Sequence, residues 1–174
     1  MMRTGGCPSA KLARRSLVAG LAVIVAVGWL PAQPALAQPR SAVTVVVTGV
    51  LDGATVELAF EGGGATPLGL VGILPLGGPE AGPSGACSEA AAVRLDELAR
   101  GRVALLEYDV DQRDARGRPV GYLWIDGVML NLRLAAEGYA APDLGGRNIR
   151  HAQAIRNAAA DARAQGLGLW PTCG

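Results

Sequence analysis

Apolar and polar positions first fall into a regular pattern at roughly 43–50, 54–60 and 67–74, where β-branched residues dominate and strands are predicted. Asp52-Gly53 lies between the first two runs, an arrangement that predicts a hairpin with both turn positions at φ > 0. Gly62-Gly63-Gly64 marks the next turn, and LPLGGPEAGPSGA (74–86) reads as loop. SEAAAVRLDELAR (88–100) predicts a helix with Ser88 as its cap and Gly101 as its stop. Strands return at 102–110 and 118–125, separated by the charged loop DQRDARG. Asp126-Gly127 turns the chain, and Asn131 is placed to cap a short helix ending at Gly138. The last helix is expected over 147–165, with Ile149, Ala152, Ile155, Ala159 and Ala162 at helical spacing. The order, βββαββαα, predicts an α+β fold that is mainly β: a small OB-type barrel packed by helices.

The first 37 residues read differently. Arg3, Lys11, Arg14 and Arg15 form a basic head, SLVAGLAVIVAVGWL (16–30) is a short apolar run, and PAQPALA ends in a small-residue cleavage site before Gln38. This is the anatomy of a secretory signal peptide, so residues 38–174 are expected to be one exported domain, periplasmic or extracellular. An uncleaved anchor and the twin-arginine route are the alternatives. Cys7 precedes the apolar run and so is not placed to carry a lipid.

Export changes the meaning of charge and cysteine. Residues 38–174 hold twelve arginines, no lysine and fifteen acids, a formal charge of −3. A general nucleic-acid binder gains its affinity from phosphate neutralisation and is normally basic, so this balance disfavours one. Cys87 and Cys173 remain as an even pair in an oxidising compartment and are expected to form a disulfide.

Four stretches together resemble the staphylococcal nuclease (thermonuclease) family: LDGATVEL, LGLVGI followed by Pro79-Glu80, DQRDARGRPVGYLWIDGVMLN, and the C-terminal GLGLW. The third is the specific one, carried by Asp114, Gly117, Arg118, Tyr122, Trp124, Asp126, Gly127 and Asn131. The resemblance implies a five-stranded OB barrel with three helices. It also implies calcium-dependent hydrolysis of DNA and RNA, in which two aspartates and a carbonyl hold the metal, a glutamate prepares water, and two arginines bind the developing charge. Calcium needs about 6–8 oxygens, several of them anionic, and a pentacovalent phosphorus needs cations aimed at its oxygens.

Most of those parts are missing here. The metal-binding aspartate of the family's D-G-D-T is Ala54, the second aspartate is Leu74, and the first catalytic arginine is Gly69. Arg118 matches the second arginine, and Arg116 replaces the aromatic before its glycine. Pro79-Glu80 matches only across three inserted residues, so Glu80 is either the displaced glutamate or an unrelated loop acid. The base-stacking tyrosines have no equivalent in AAPDLGGR.

Asp52 is therefore expected to turn the chain, with at most an outer role toward a cation. Arg118 is either a remnant catalytic group or the ion-pair partner of Asp114, the second being favoured. His151 is expected on a solvated helix face, and Arg147, Arg150, Arg156 and Arg163 as surface charge, with a nucleic-acid patch as the less favoured alternative. Trp124 and Trp170 are expected to pack in or against the barrel. Three functions fit these residues: an impaired nuclease-fold module binding a protein or envelope ligand, with no cofactor; a phosphodiesterase using Arg118, Glu80 and Ca²⁺; or a purely scaffolding envelope domain.

Overall fold

A computed structural model of the chain describes Met1, Pro39 and residues 41–77, 85–143 and 145–174. The expected leader peptide, its cleavage before Gln38, and Pro79-Glu80 lie outside the described residues. The strands are β1 (Val43–Asp52), β2 (Thr55–Phe60), β3 (Ala65–Leu70), β4 (Ile73–Pro75), β5 (Val103–Glu107), β6 (Val120–Ile125), β7 (Val128–Met129) and β8 (Ala140–Pro142). The helices are α1 (Gly85–Ala99), α2 (Leu130–Ala136), α3 (Ala152–Ala164) and the one-turn α4 (Trp170–Cys173).

Strands β3, β2, β1, β5 and β6 pair in that order, and a parallel contact of Gly69 with Val120 and Leu70 with Gly121 closes them into a five-stranded barrel. Strands β4 and β8 form a separate two-stranded ribbon. Alternation along β1 sends Val45 and Val47 inward to meet Val56, Leu58, Leu68 and Leu106. This is the expected α+β, mainly β, OB-type architecture. Helix α1 covers the barrel with Ala91, Leu95, Leu98 and Ala99, and α2 and α3 bury Leu134, Ile155 and Ala159. No helix among the described residues is long and apolar enough to cross a membrane.

The two Asp-Gly pairs behave differently. Asp126 (φ 49°) and Gly127 (φ 79°) are both left-handed, as a two-residue hairpin turn requires. At the first pair the expectation fails: Asp52 still pairs with Thr55 as the last residue of β1, and the turn residues are Gly53 and Ala54, neither at positive φ. The reason is local. A register shift between Val50 and Asp52 moves the turn on by one residue, and the Asp52 carboxylate accepts the Ala54 N–H at 2.8 Å.

Three more local expectations are corrected. Helix α1 starts at Gly85, so Ser88 lies inside its first turn and does not cap it. Asn131 lies within α2, whose N-cap is Met129. Its fully buried amide accepts the Leu123 N–H at 3.0 Å and donates to the Val71 carbonyl at 2.8 Å, linking β6 to the end of β3. Helix α3 begins at Ala152, which leaves Ile149 outside it and 67% exposed.

The expected disulfide is present. Cys87 in the first turn of α1 is bonded to Cys173 at the end of α4, with Cα atoms 6.2 Å apart.

Candidate functional site

A cleft of about 1020 Å³ opens where the ends of β1–β4 face the segments 111–118 and 143–148. One wall is made by Asp52, Ala54, Gly69, Ile73, Leu74 and Pro75. Asp52 is at the end of its strand because its carboxylate folds back to the Ala54 amide, which spends one of its oxygens on the backbone. Leu74 is 52% exposed on β4, an apolar side chain facing solvent. Gly69 lies at the barrel closure, where a Cβ would stand 3.1 Å from Nη2 and 3.2 Å from Cζ of Arg118. The Arg118 guanidinium thus takes the space in front of Gly69.

The opposite wall is charged and clamped. The Asp114 carboxylate accepts the backbone N–H groups of Arg116 (2.9 Å) and Arg118 (3.0 Å) and the Nε–H of Arg118 (2.9 Å). Nη1 of Arg118 donates to the Thr55 hydroxyl at 3.0 Å, and Nη2 has no hydrogen-bond partner among the described residues. Burial pushes the Asp114 carboxyl up, but the Arg118 guanidinium and the two backbone donors outweigh it and hold it below the usual carboxylate range. Asn148 accepts the Asp111 N–H (2.7 Å) and donates to the Asp111 carbonyl (2.8 Å), tying the two segments together. Arg147 pairs with Asp111, and Asp143 accepts the Gly145 N–H at 2.9 Å.

Asp52, Asp114 and Arg118 therefore share one cleft, whereas Glu80 lies outside the described residues. Among the described residues, the donor set does not fit the calcium that the family resemblance implies. Ala54 and Leu74 offer no side-chain oxygen, and Asp52 is a single, partly spent carboxylate. No group of three His, Cys, Asp or Glu side chains among the described residues could hold a metal ion.

The expectation for His151 is corrected. Its side chain is 14% exposed, and Nε2 lies 3.0 Å from the buried Glu107 carboxylate, with the ring edge-on to Tyr122 and Trp124. Glu107 also accepts from Trp124 Nε1 (2.8 Å) and Arg150 Nη1 (2.7 Å). Burial raises this carboxyl, and the bonds from Arg150, Trp124 and His151 outweigh burial and lower it. The basic set expected on the last helix is divided: Arg147 and Arg150 precede α3 and are paired with acids, whereas Arg163, on α3, lies 5.3 Å above the Trp170 ring. Trp124 is buried in the barrel, and Trp170 packs partly buried against its core.

Sequence reasoning missed Thr55, Asn148 and the cross-linking role of Asn131. Asn131 is marked in the sequence by its place in the D-G-x-x-x-N stretch. Asn148 and Thr55 carry no local signal, because their partners lie 37 and 63 residues away.

A closed five-stranded barrel with its cleft between strand ends and two clamped loops defines a small OB-fold protein of α+β class. Residues 86–172, half of the chain, match the family of staphylococcal nuclease homologues, and the chain belongs to that family. It is 34% identical over 65 residues to a thermonuclease of Staphylococcus intermedius, covering 37% of this chain and 39% of that protein. A thermonuclease of Staphylococcus hyicus is 32% identical over 65 residues, 37% and 38% of the two chains. The matched stretch thus spans under two fifths of the length of these curated relatives.

Proposed function

We propose that the chain is an exported nuclease-fold domain that has lost calcium-dependent phosphodiester hydrolysis and serves as a binding module for a protein or envelope ligand. The observation that carries this reading is the β1–β4 wall of the cleft. Where the family places two carboxylates and an arginine, this wall has Ala54, Leu74 and Gly69. Removing one preorganised donor to a developing oxyanion typically costs on the order of 10²–10³ in rate. Losing the Lewis acid as well brings the total to ~10⁴ or more, since such losses do not simply add. Export rests on the basic head, apolar run and small-residue site that precede Gln38.

One observation favours a second reading. Nη2 of Arg118 faces the cleft without a partner among the described residues, so a phosphodiesterase using Arg118 with Glu80 is the competing assignment. Hydrolysis of heat-denatured DNA and of RNA by the purified chain, across calcium and manganese concentrations, separates the two. The binding-module reading expects turnover at least ~10⁴-fold below an intact thermonuclease. Turnover within about tenfold of that enzyme, abolished by Arg118→Ala, would establish the enzyme reading instead.

A further inference from the structure

Helix α1 is held unevenly along its length. From Ala91 onward it is fixed by the buried side chains of Ala91, Leu95, Leu98 and Ala99, and by an Arg94–Glu137 ion pair at 2.7 Å. Its first turn has no buried residue: Gly85 and Ala86 are exposed, and Cys87 and Ser88 are half-buried. What fastens this turn among the described residues is the bond from Cys87 to Cys173. Cys173 belongs to α4, which also buries no residue, but whose start is anchored separately: the Leu169 N–H donates to the Gly138 carbonyl at 2.9 Å.

The same turn is part of the cleft. Gly85 and Ser88 line it, as does Gly77, which precedes the segment 78–84. Gly77 has φ +77°, and a Cβ there would stand 2.5 Å from Cys87 Cβ. The disulfide-bearing residue is thus pressed against the backbone that continues the apolar wall from β4.

We propose that the Cys87–Cys173 bond is a redox-sensitive strap on the cleft: a dithiol that reduces it frees the first turn of α1 and Gly77, slackening that wall while the barrel stays folded. The dithiol supplies two electrons and two protons. The S–S bond breaks, Cys87 and Cys173 become thiols, and the reductant closes to its own disulfide. The functional weight of the strap rests on reading the cleft as the binding site. The strap itself is tested without any ligand or activity.

Hydrogen exchange read by mass spectrometry on the full chain, oxidised and after reduction with dithiothreitol, gives the test. At labelling times too short for global unfolding to contribute, peptides covering 73–77 and 85–91 are expected to exchange about tenfold faster on reduction, while those covering β1, β2, β5 and β6 stay protected. Unchanged exchange at 73–77 and 85–91 overturns the proposal. A uniform rise through all strands also overturns it, because the bond would then hold the fold rather than the cleft. Gly77→Ala keeps the bond but drives a methyl into Cys87, and is expected to speed exchange at 85–91 in the oxidised protein. No change there counts against the strap. Hydrolysis of nucleic acid would defeat the binding-module reading and leave these exchange results standing.

Discussion

The two walls of the cleft contrast in how they use their side chains. On the 111–118 and 143–148 wall, Asp111, Asp114, Asp143 and Asn148 each hold a named partner, and Arg118 is gripped by both Asp114 and Thr55. On the β1–β4 wall, the Ala54 and Leu74 side chains carry no polar group, Gly69 presents only backbone, and Asp52 serves its own turn. The charged wall falls inside the stretch that matches the nuclease family, and the apolar wall precedes it. The family match thus includes the clamps of one wall and leaves the side chains of the other to be read on their own. Fold alone does not assign function in such a case.

The largest effect expected from breaking this arrangement comes from the strap that serves the apolar wall. Cys87→Ala with Cys173→Ala removes a cross-link across 86 residues of sequence. In the chain-entropy limit that costs roughly 4–5 kcal/mol, less whatever structure the unfolded chain retains. Urea unfolding of the oxidised protein and the double variant measures it; equal midpoints would show that the bond contributes nothing to stability.

Next comes the buried link between β6 and the end of β3. Asn131→Ala orphans the buried Leu123 N–H and Val71 carbonyl, at a cost of about 2–4 kcal/mol in the same assay. A loss below about 0.5 kcal/mol would mean that those groups find water or other partners.

A smaller effect lies at the buried Glu107 and depends on pH. Glu107 titrates below its ordinary value because the Arg150, Trp124 and His151 bonds outweigh its burial. A carboxyl depressed in the folded state contributes stability that is fully present above the unfolded value, about 4.3, and lost as pH falls through the folded one. The urea midpoint should hold from neutral pH down to about 5 and drop below about 4.5, and Glu107→Gln should flatten that drop. A midpoint that declines identically in both proteins would show that Glu107 does not drive the drop. Asp114 titrates in the same direction, so its variant provides the smallest test: Asp114→Ala should cost about 1 kcal/mol and release Arg118. Faster exchange confined to 113–118 would mark the release, and unchanged exchange there would contradict the clamp.

How far the molecule was legible in its sequence depended on the range of each interaction. The barrel, its order and the disulfide were written in strand periodicity, the D-x-x-G-R motif and an even cysteine pair. Asp126-Gly127 met the local turn rule because nothing nearby competed. At Asp52-Gly53 a bulge and a side-chain bond shifted the turn by one residue, which no dipeptide rule contains. His151 has the flanks of a surface residue, with arginine before it and glutamine two residues later, yet Glu107, 44 residues away, draws it inward. Asn131 and Ser88 show the same limit in reverse, since capping residue types were read as caps while tertiary partners or an earlier helix start placed them inside helices. The site was legible mainly as absences: Ala54, Gly69 and Leu74 could be read by setting motif against motif, whereas the grip of Thr55 on Arg118 required the barrel to close.

The proposed loss of the calcium site on the β1–β4 wall is tested most directly by calorimetric titration of the purified chain with calcium chloride. No saturable heat is expected up to about 10 mM, beyond the weak range of extracellular calcium modules. One-site binding below about 1 mM that disappears in Asp52→Ala would contradict the claim.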